Sequence, residues 1–169
     1  NHNGEFTVNI ALIKSNKPIL GVIYAPELNL LYYASKNNGS FKLRTNKKIN
    51  TLEKSLKISV NSKNKKDHLI VFGSRSHSNQ KGDEWIKQNY NNYEIIKRGS
   101  SIKFCEIAEG KADLYVRLGP TSEWDIAAGH AILEEAGGNI QNIDNQKILY
   151  NCKENVINPN FIASCSLSS

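Results

Sequence analysis

Methionine is missing from all 169 residues, and the chain opens at Asn1. A natural reading frame begins with Met, so the expectation is a fragment or processed piece of a longer protein. No apolar run approaches the ~20 residues that a membrane-spanning helix requires. The n-region, apolar stretch and cleavage site of a signal peptide are absent too. Cysteine is scarce and odd in number, with Cys105, Cys152 and Cys165 and no C-x-x-C spacing. That argues against a disulfide framework or a zinc site and for reduced thiols. Cys105 lies in an apolar helical stretch and reads as core rather than nucleophile. Internal repeats are also lacking.

What is present is ordinary for a globular protein: 39% apolar and 22% charged residues. The length allows one good core, or parts of two small ones. A net charge of +6 admits nucleic acid, a membrane surface or a small anion as partner. The lysines are dispersed, however. The clusters Lys47-Lys48 and Lys63-Asn64-Lys65-Lys66 sit among Asn and Ser and read as solvated loops. The chain is also rich in Asn, Ile and Lys, which codon bias alone can produce. The charge is therefore discounted as a sign of a nucleic-acid polymer.

Two rhythms divide the chain. Phe6–Ile13, Pro18–Ala25, Leu30–Ala34, Gly39–Leu43 and Leu56–Val60 read as short strands of an antiparallel meander, with a turn at Pro26-Glu27-Leu28-Asn29. The Lys- and Asn-rich stretch Asn61–Asp67 reads as a boundary. Beyond it, strands at His68–Gly73, Tyr93–Lys97, Ala112–Arg117, Asn139–Ile143 and Phe161–Ala163 alternate with helices at Asp83–Asn89 and Ser101–Glu109, the latter closed by Gly110. The expected fold class is α/β, a layered α+β sandwich. An incomplete antiparallel-sheet domain, 1–66, would precede an α/β domain, 67–169.

The most informative stretch is Glu123-Trp124-Asp125-Ile126-Ala127-Ala128-Gly129-His130-Ala131-Ile132-Leu133-Glu134-Glu135-Ala136-Gly137-Gly138. Ala128, Ala131, Ile132 and Ala136 have the spacing of one helical face. Asp125 falls in the first turn, where free N–H groups and the dipole favour a carboxylate. Ala127 and Ala128 leave room for another backbone. Trp124 reads as a packing residue, and His130 as structural. The pattern Trp-Asp-x-Ala-Ala-x-x-x-Ile-x-x-Glu-Ala-Gly-Gly resembles the C-terminal signature of the inositol monophosphatase superfamily, magnesium-dependent phosphatases of small molecules. In that family the Asp of this pair binds metal.

The resemblance continues along the chain. Asn3-Gly4-Glu5-Phe6-Thr7-Val8-Asn9-Ile10-Ala11-Leu12-Ile13 looks like the segment that follows the family's Asp-Pro-x-Asp-Gly-Thr metal motif, and Gly21-Val22-Ile23-Tyr24-Ala25-Pro26 like its next strand. Ser74-Arg75-Ser76-His77 and Gly99-Ser100-Ser101-Ile102-Lys103-Phe104-Cys105 most resemble one branch, the 3'(2'),5'-bisphosphate nucleotidases of bacterial sulfur assimilation. Plain inositol monophosphatases share Trp-Asp but generally lack the Ser-Ser-x-Lys-Phe-Cys form. The family also takes a metal-binding Glu from an upstream Glu-Glu motif and two Asp from Asp-Pro-x-Asp-Gly-Thr. Neither upstream motif occurs here, which leaves Asp125 as the one recognisable metal ligand.

What the resemblance implies is a phosphatase that removes the 3'-phosphate of adenosine 3',5'-bisphosphate to give AMP, with Mg²⁺ as cofactor. It would be cytoplasmic or peripheral on the inner face of a bacterial membrane, and a homodimer is admitted. Ser100, Ser101, Lys103, Arg117, His77 and Asp125 would contact the substrate. From the residues alone, Ser100-Ser101 is better read as a helix cap. Lys103 could face solvent, His77 could be an exposed loop residue, and Arg117 could form a surface salt bridge. The alternatives are an inositol monophosphatase or sugar bisphosphatase, and a non-catalytic nucleotide-binding module. One carboxylate cannot hold a magnesium cluster, so the chain alone is expected to be inactive.

Overall fold

Alternating side chains and tight turns make the first sheet. Its strands are β1 (Val8–Lys14), β2 (Lys17–Ala25), β3 (Leu30–Ser35), β4 (Gly39–Arg44) and β5 (Leu56–Ile58), paired antiparallel in chain order. The computed structural model describes residues 6–45, 51–64, 67–74 and 80–168. Ser15 and Asn16, both at positive φ, give the β1–β2 hairpin the turn geometry that matches strand twist. The expected turn at Pro26 is a short 3-10 segment, ended by Asn29 at φ 53°.

Two short elements were not legible. The stretch expected to be a boundary loop contains β6 (Ser62–Asn64). Three polar residues carry no strand period. They become a strand only through parallel pairing with the distant C-terminal β12 (Ser166–Ser168).

The second half alternates as expected. β7 (Leu69–Ser74), α1 (Gln80–Asn89), β8 (Tyr93–Arg98), α2 (Ile102–Ala108), β9 (Leu114–Arg117), α3 (Glu123–Glu135), β10 (Asn139–Asn142) and β11 (Phe161–Ser164) follow in order. Their strands form a mixed sheet, β10-β11-β9-β7-β8. β7 runs parallel to β8 and β9, while β11 is antiparallel to both β9 and β10.

Period-two alternation deals this sheet's residues to two cores. Phe72, Tyr115, Phe161 and Ala163 face α2, α3 and the first sheet, in one cluster with Ile23, Tyr32, Phe104 and Ile132. Their neighbours Val71, Leu114, Val116 and Ile162 face the other way, onto Ile86 of α1. The layers are therefore antiparallel sheet, helices α2 and α3, mixed sheet, and α1. Among the described residues no helix is long and apolar enough to cross a membrane.

α3 corrects the sequence reading. Instead of one buried face it is buried nearly all round, from Ile126 to Leu133, because a sheet lies on either side of it. Small residues make this possible. A Cβ on Gly129 would stand 2.5 Å from the Phe104 ring, so α2 and α3 pack closer than side chains would allow. The buried His130 is structural, as expected: Nδ1 meets the Tyr150 hydroxyl at 2.8 Å and Nε2 meets Glu134 at 3.2 Å. Trp124 is not the packing residue expected. It is 63% exposed, because the second position of α3 points away from both sheets.

Among the described residues β1 is the edge of its sheet, and it shows an apolar face to solvent: Val8, Ile10 and Leu12, with Phe6 just before the strand, are each at least half exposed. Such an edge invites pairing with another chain. The expected result is concentration-dependent self-association of the chain in sedimentation velocity, reduced by Ile10→Lys. A monomer at all concentrations would contradict it.

Candidate functional site

The end of the mixed sheet, the starts of α2 and α3 and the outer strand of the first sheet enclose a cleft of about 440 Å³. Of the six site residues singled out in the sequence, Ser100, Ser101, Lys103, Arg117 and Asp125 line it. Residues 75–79, and with them His77, lie outside the described residues.

Asp125 reaches the cleft from the first turn of α3, as its position predicted. One carboxylate oxygen, Oδ2, accepts the Ser122 backbone N–H at 2.8 Å, the acidic arm of a capping box. The side chain is exposed, which leaves the other oxygen within reach of a cation. A hard divalent cation needs several oxygen ligands. Among the described residues no group of three His, Cys, Asp or Glu is placed to hold one. Asp125 fits as a single ligand, but the described residues do not by themselves make up a magnesium site.

The side chains of the loop before α2 bond to a distant segment and do not cap the helix. Ser100 adopts φ 59°, left-handed backbone that a non-glycine residue rarely takes. Ser101 is the N-cap residue of α2, but its side chain makes no capping hydrogen bond. Both hydroxyls instead reach across to the residue just before β1: Ser100 Oγ and Ser101 Oγ each lie 2.6 Å from Thr7 Oγ1. Ser101 Oγ also donates to Asn9 Oδ1 at 2.8 Å.

Neither basic residue is the solvated one that the simpler reading allowed. Lys103 is buried in the cleft wall, its Nζ 4.6 Å from the centre of the Tyr115 ring and 3.5 Å from the Arg98 carbonyl. Arg117 is also buried, and donates from Nη2 to the Pro120 carbonyl at 3.2 Å. That bond ties the end of β9 to the loop that leads into α3. Two buried cations, a hydroxyl-bearing loop and one exposed carboxylate converge on a small volume, an environment suited to a phosphorylated ligand.

Other buried ionisable groups stand apart from the cleft. Burial pushes the Cys105 thiol well up, which matches a core residue and not a nucleophile. Burial would raise Glu109 as well, but hydrogen bonds from Lys111, Lys42 and the Tyr32 hydroxyl outweigh it and hold the carboxyl low. This network ties the first sheet to the end of α2. Glu123 accepts the Asn151 N–H at 2.9 Å and faces Lys153 at 3.6 Å, so it holds a loop rather than a ligand.

The sequence reading did not single out Thr7, Asn9, Arg98 and Tyr115, which also line the cleft. A signal existed for the first two. Thr7 and Asn9 share the inward face of their strand with Ala11 and Ile13, where two polar residues are out of place unless something polar meets them. Arg98, a charged strand-end residue, offered no such signal.

The chain matches the inositol monophosphatase family over residues 1–166. It is 41% identical over 159 residues to the 3'(2'),5'-bisphosphate nucleotidase CysQ of Salmonella typhimurium, covering 94% of this chain and 60% of that protein. To the protein of the same name from Buchnera aphidicola it is 42% identical over 166 residues, covering 96% of this chain and 58% of that one. The chain thus spans about 60% of the length of these curated relatives. Among solved structures, CysQ from Bacteroides thetaiotaomicron superposes with a TM-score of 0.85 at 41% identity, covering 97% of this chain and 64% of that one. An inositol monophosphatase from Zymomonas mobilis gives 0.70 at 21% identity over 94% of this chain and 56% of that one, a likeness of fold alone. With layers, cleft and Trp-Asp helix all in agreement with a match of this extent, the chain belongs to the inositol monophosphatase family.

Proposed function

We propose that this chain carries the nucleotide-binding side of a magnesium-dependent, cytoplasmic phosphatase that removes the 3'-phosphate of adenosine 3',5'-bisphosphate to give AMP. The observation that carries the reading is the convergence of Lys103, Arg117 and the Ser100-Ser101 loop with Asp125 on one cleft. Resemblance to nucleotidases named CysQ at about 40% identity supports the choice of substrate. Asp125 would supply one carboxylate to the metal, and His77 would meet the nucleotide. The chain is proposed to divide into 1–66, which holds the antiparallel sheet β1–β5, and 67–169, the part that brings most of the cleft.

Phosphoryl transfer spreads negative charge over the phosphoryl oxygens, so catalysis rests on positioning and charge neutralisation. Lys103 offers a fixed positive charge, and Arg117 a donor fork that is already oriented by the Pro120 carbonyl. The second reading is a module that binds the nucleotide without hydrolysing it. The lack of a group of three acidic, His or Cys side chains among the described residues favours it for the chain taken alone.

Isothermal titration of the chain with adenosine 3',5'-bisphosphate and with inositol 1-phosphate tests the proposal. The nucleotide is expected to bind more tightly, and tighter binding of inositol 1-phosphate would sink it. Lys103→Ala is expected to weaken adenosine 3',5'-bisphosphate by about tenfold and AMP much less, since a charge-assisted contact to the additional phosphate is lost. Equal losses would show that Lys103 does not read the second phosphate.

A further inference from the structure

Three hydroxyls and one amide line up in single file beside the cleft. The contacts are Ser100 to Thr7 at 2.6 Å, Thr7 to Ser101 at 2.6 Å and Ser101 to Asn9 at 2.8 Å. Each hydroxyl owns one proton, so each can donate once. Ser101 donates to the Asn9 carbonyl oxygen. It must then accept from Thr7, and Thr7 must accept from Ser100. The Ser100 proton is therefore turned inward, and its lone pairs are left for the cleft. That is the wrong polarity for an anion, which needs donors.

The cure lies at the far end of the file. An Asn side chain presents a carbonyl on one side and an NH₂ on the other, in nearly the same shape. Rotating the Asn9 amide by half a turn makes it the donor to Ser101. Every bond in the file then reverses, and the Ser100 proton swings out into the cleft. No backbone moves, and no hydrogen bond of the file is lost.

We propose that Asn9 and Thr7 are positioning residues that set the hydroxyl polarity of Ser100, and that a bound phosphate selects the reversed state. The inference rests on the reading of the Ser100 loop as a phosphate contact. It adds the start of β1, through Asn9 and the preceding Thr7, to the machinery that recognises the ligand.

Asn9→Asp separates polarity from scaffolding. A carboxylate accepts from Ser101 at least as well as the amide does, so a purely structural role survives the change. It cannot donate, however, so it locks the Ser100 proton inward. The 169-residue chain is titrated by calorimetry with inorganic phosphate and with adenosine 3',5'-bisphosphate. Asn9→Asp is expected to weaken both by about tenfold or more. A double-mutant cycle removes the effect of the added charge. In a Thr7→Val background the file is cut, so Asn9→Asp should keep only the part of its penalty that comes from charge repulsion and cost clearly less than in the unmodified chain, whereas charge repulsion alone would give the same penalty in both. Thr7→Ser restores the hydroxyl and should bind like the unmodified chain.

A second readout needs no substitution. The Asn9 side-chain amide resonances should move on addition of phosphate, as the NH₂ begins to donate to Ser101. Unchanged affinity in Asn9→Asp, an equal penalty in the Thr7→Val background, or unmoved Asn9 resonances would each overturn the inference while leaving the site reading intact. Failure of the unmodified chain to bind either probe, or indifference of binding to Lys103→Ala, would overturn the site reading and the inference with it.

Discussion

Purified alone and supplied with Mg²⁺, the 169-residue chain is expected to release no measurable phosphate from adenosine 3',5'-bisphosphate. Phosphate monoesters are among the slowest of biological bonds to hydrolyse unaided, so even weak catalysis requires substantial charge neutralisation. In the proposed reading Lys103 and Arg117, buried in the cleft wall, would supply part of it. A divalent ion would have to supply the rest, and it prefers an octahedral set of oxygens with several protein anchors. Asp125 offers one carboxylate, one of whose oxygens already accepts the Ser122 N–H. Glu123 is two residues away but is held by Asn151 and Lys153, so it cannot complete the set. The test is a colorimetric phosphate assay run for hours at high enzyme concentration. Turnover near that of a full-length relative would mean that carboxylates outside the described residues, such as Glu5, complete the site.

Gly21→Ala is expected to destabilise the chain by about 3 kcal/mol, at the upper end of what overpacking usually costs. β2 crosses α3 at this glycine. A Cβ there would stand 2.3 Å from the Ala128 carbonyl oxygen and 3.0 Å from the Ala131 Cβ. The nearest atom belongs to the backbone of a helix that is packed on both sides, so it cannot swing aside as a side chain would. Relief requires the first sheet and α3 to separate. For a chain of this size the melting temperature should fall by roughly 6–12 °C. Circular dichroism melts measure it. Because α3 carries Asp125 into the cleft, ligand affinity should fall as well. A variant that melts with the unmodified chain would show that β2 does not press on α3.

Much of the fold was legible because local patterns and tertiary contacts agree. Alternation along Phe6–Ile13 and Pro18–Ala25 matches β1 and β2 to within two residues. Asp125 at the first turn of α3 follows from the apolar spacing behind it and the Ser122 cap before it. Ser100, Ser101, Lys103 and Arg117 were named through a resemblance carried by the order of short motifs, and the structure brings all four to one cleft. β6 was not legible, because Ser62–Asn64 has no period of its own and is a strand only where Ser166–Ser168 lies beside it. Nor was the exposure of Trp124, since spacing along a helix does not say which sides will be covered.

The sequence by itself determined the order and kind of most elements, the family, the helix that presents Asp125 and the thiol character of Cys105. These depend on period, caps and motifs, all of which act over a few residues. Only the tertiary structure decided that α3 would be buried between two sheets, that Lys103 and Arg117 would be buried cations, and that Thr7 and Asn9 would meet Ser100 and Ser101. Those contacts join residues more than ninety positions apart. They exist because a layer of two helices holds the edge of one sheet against the end of the other, and no short-range pattern encodes that distance.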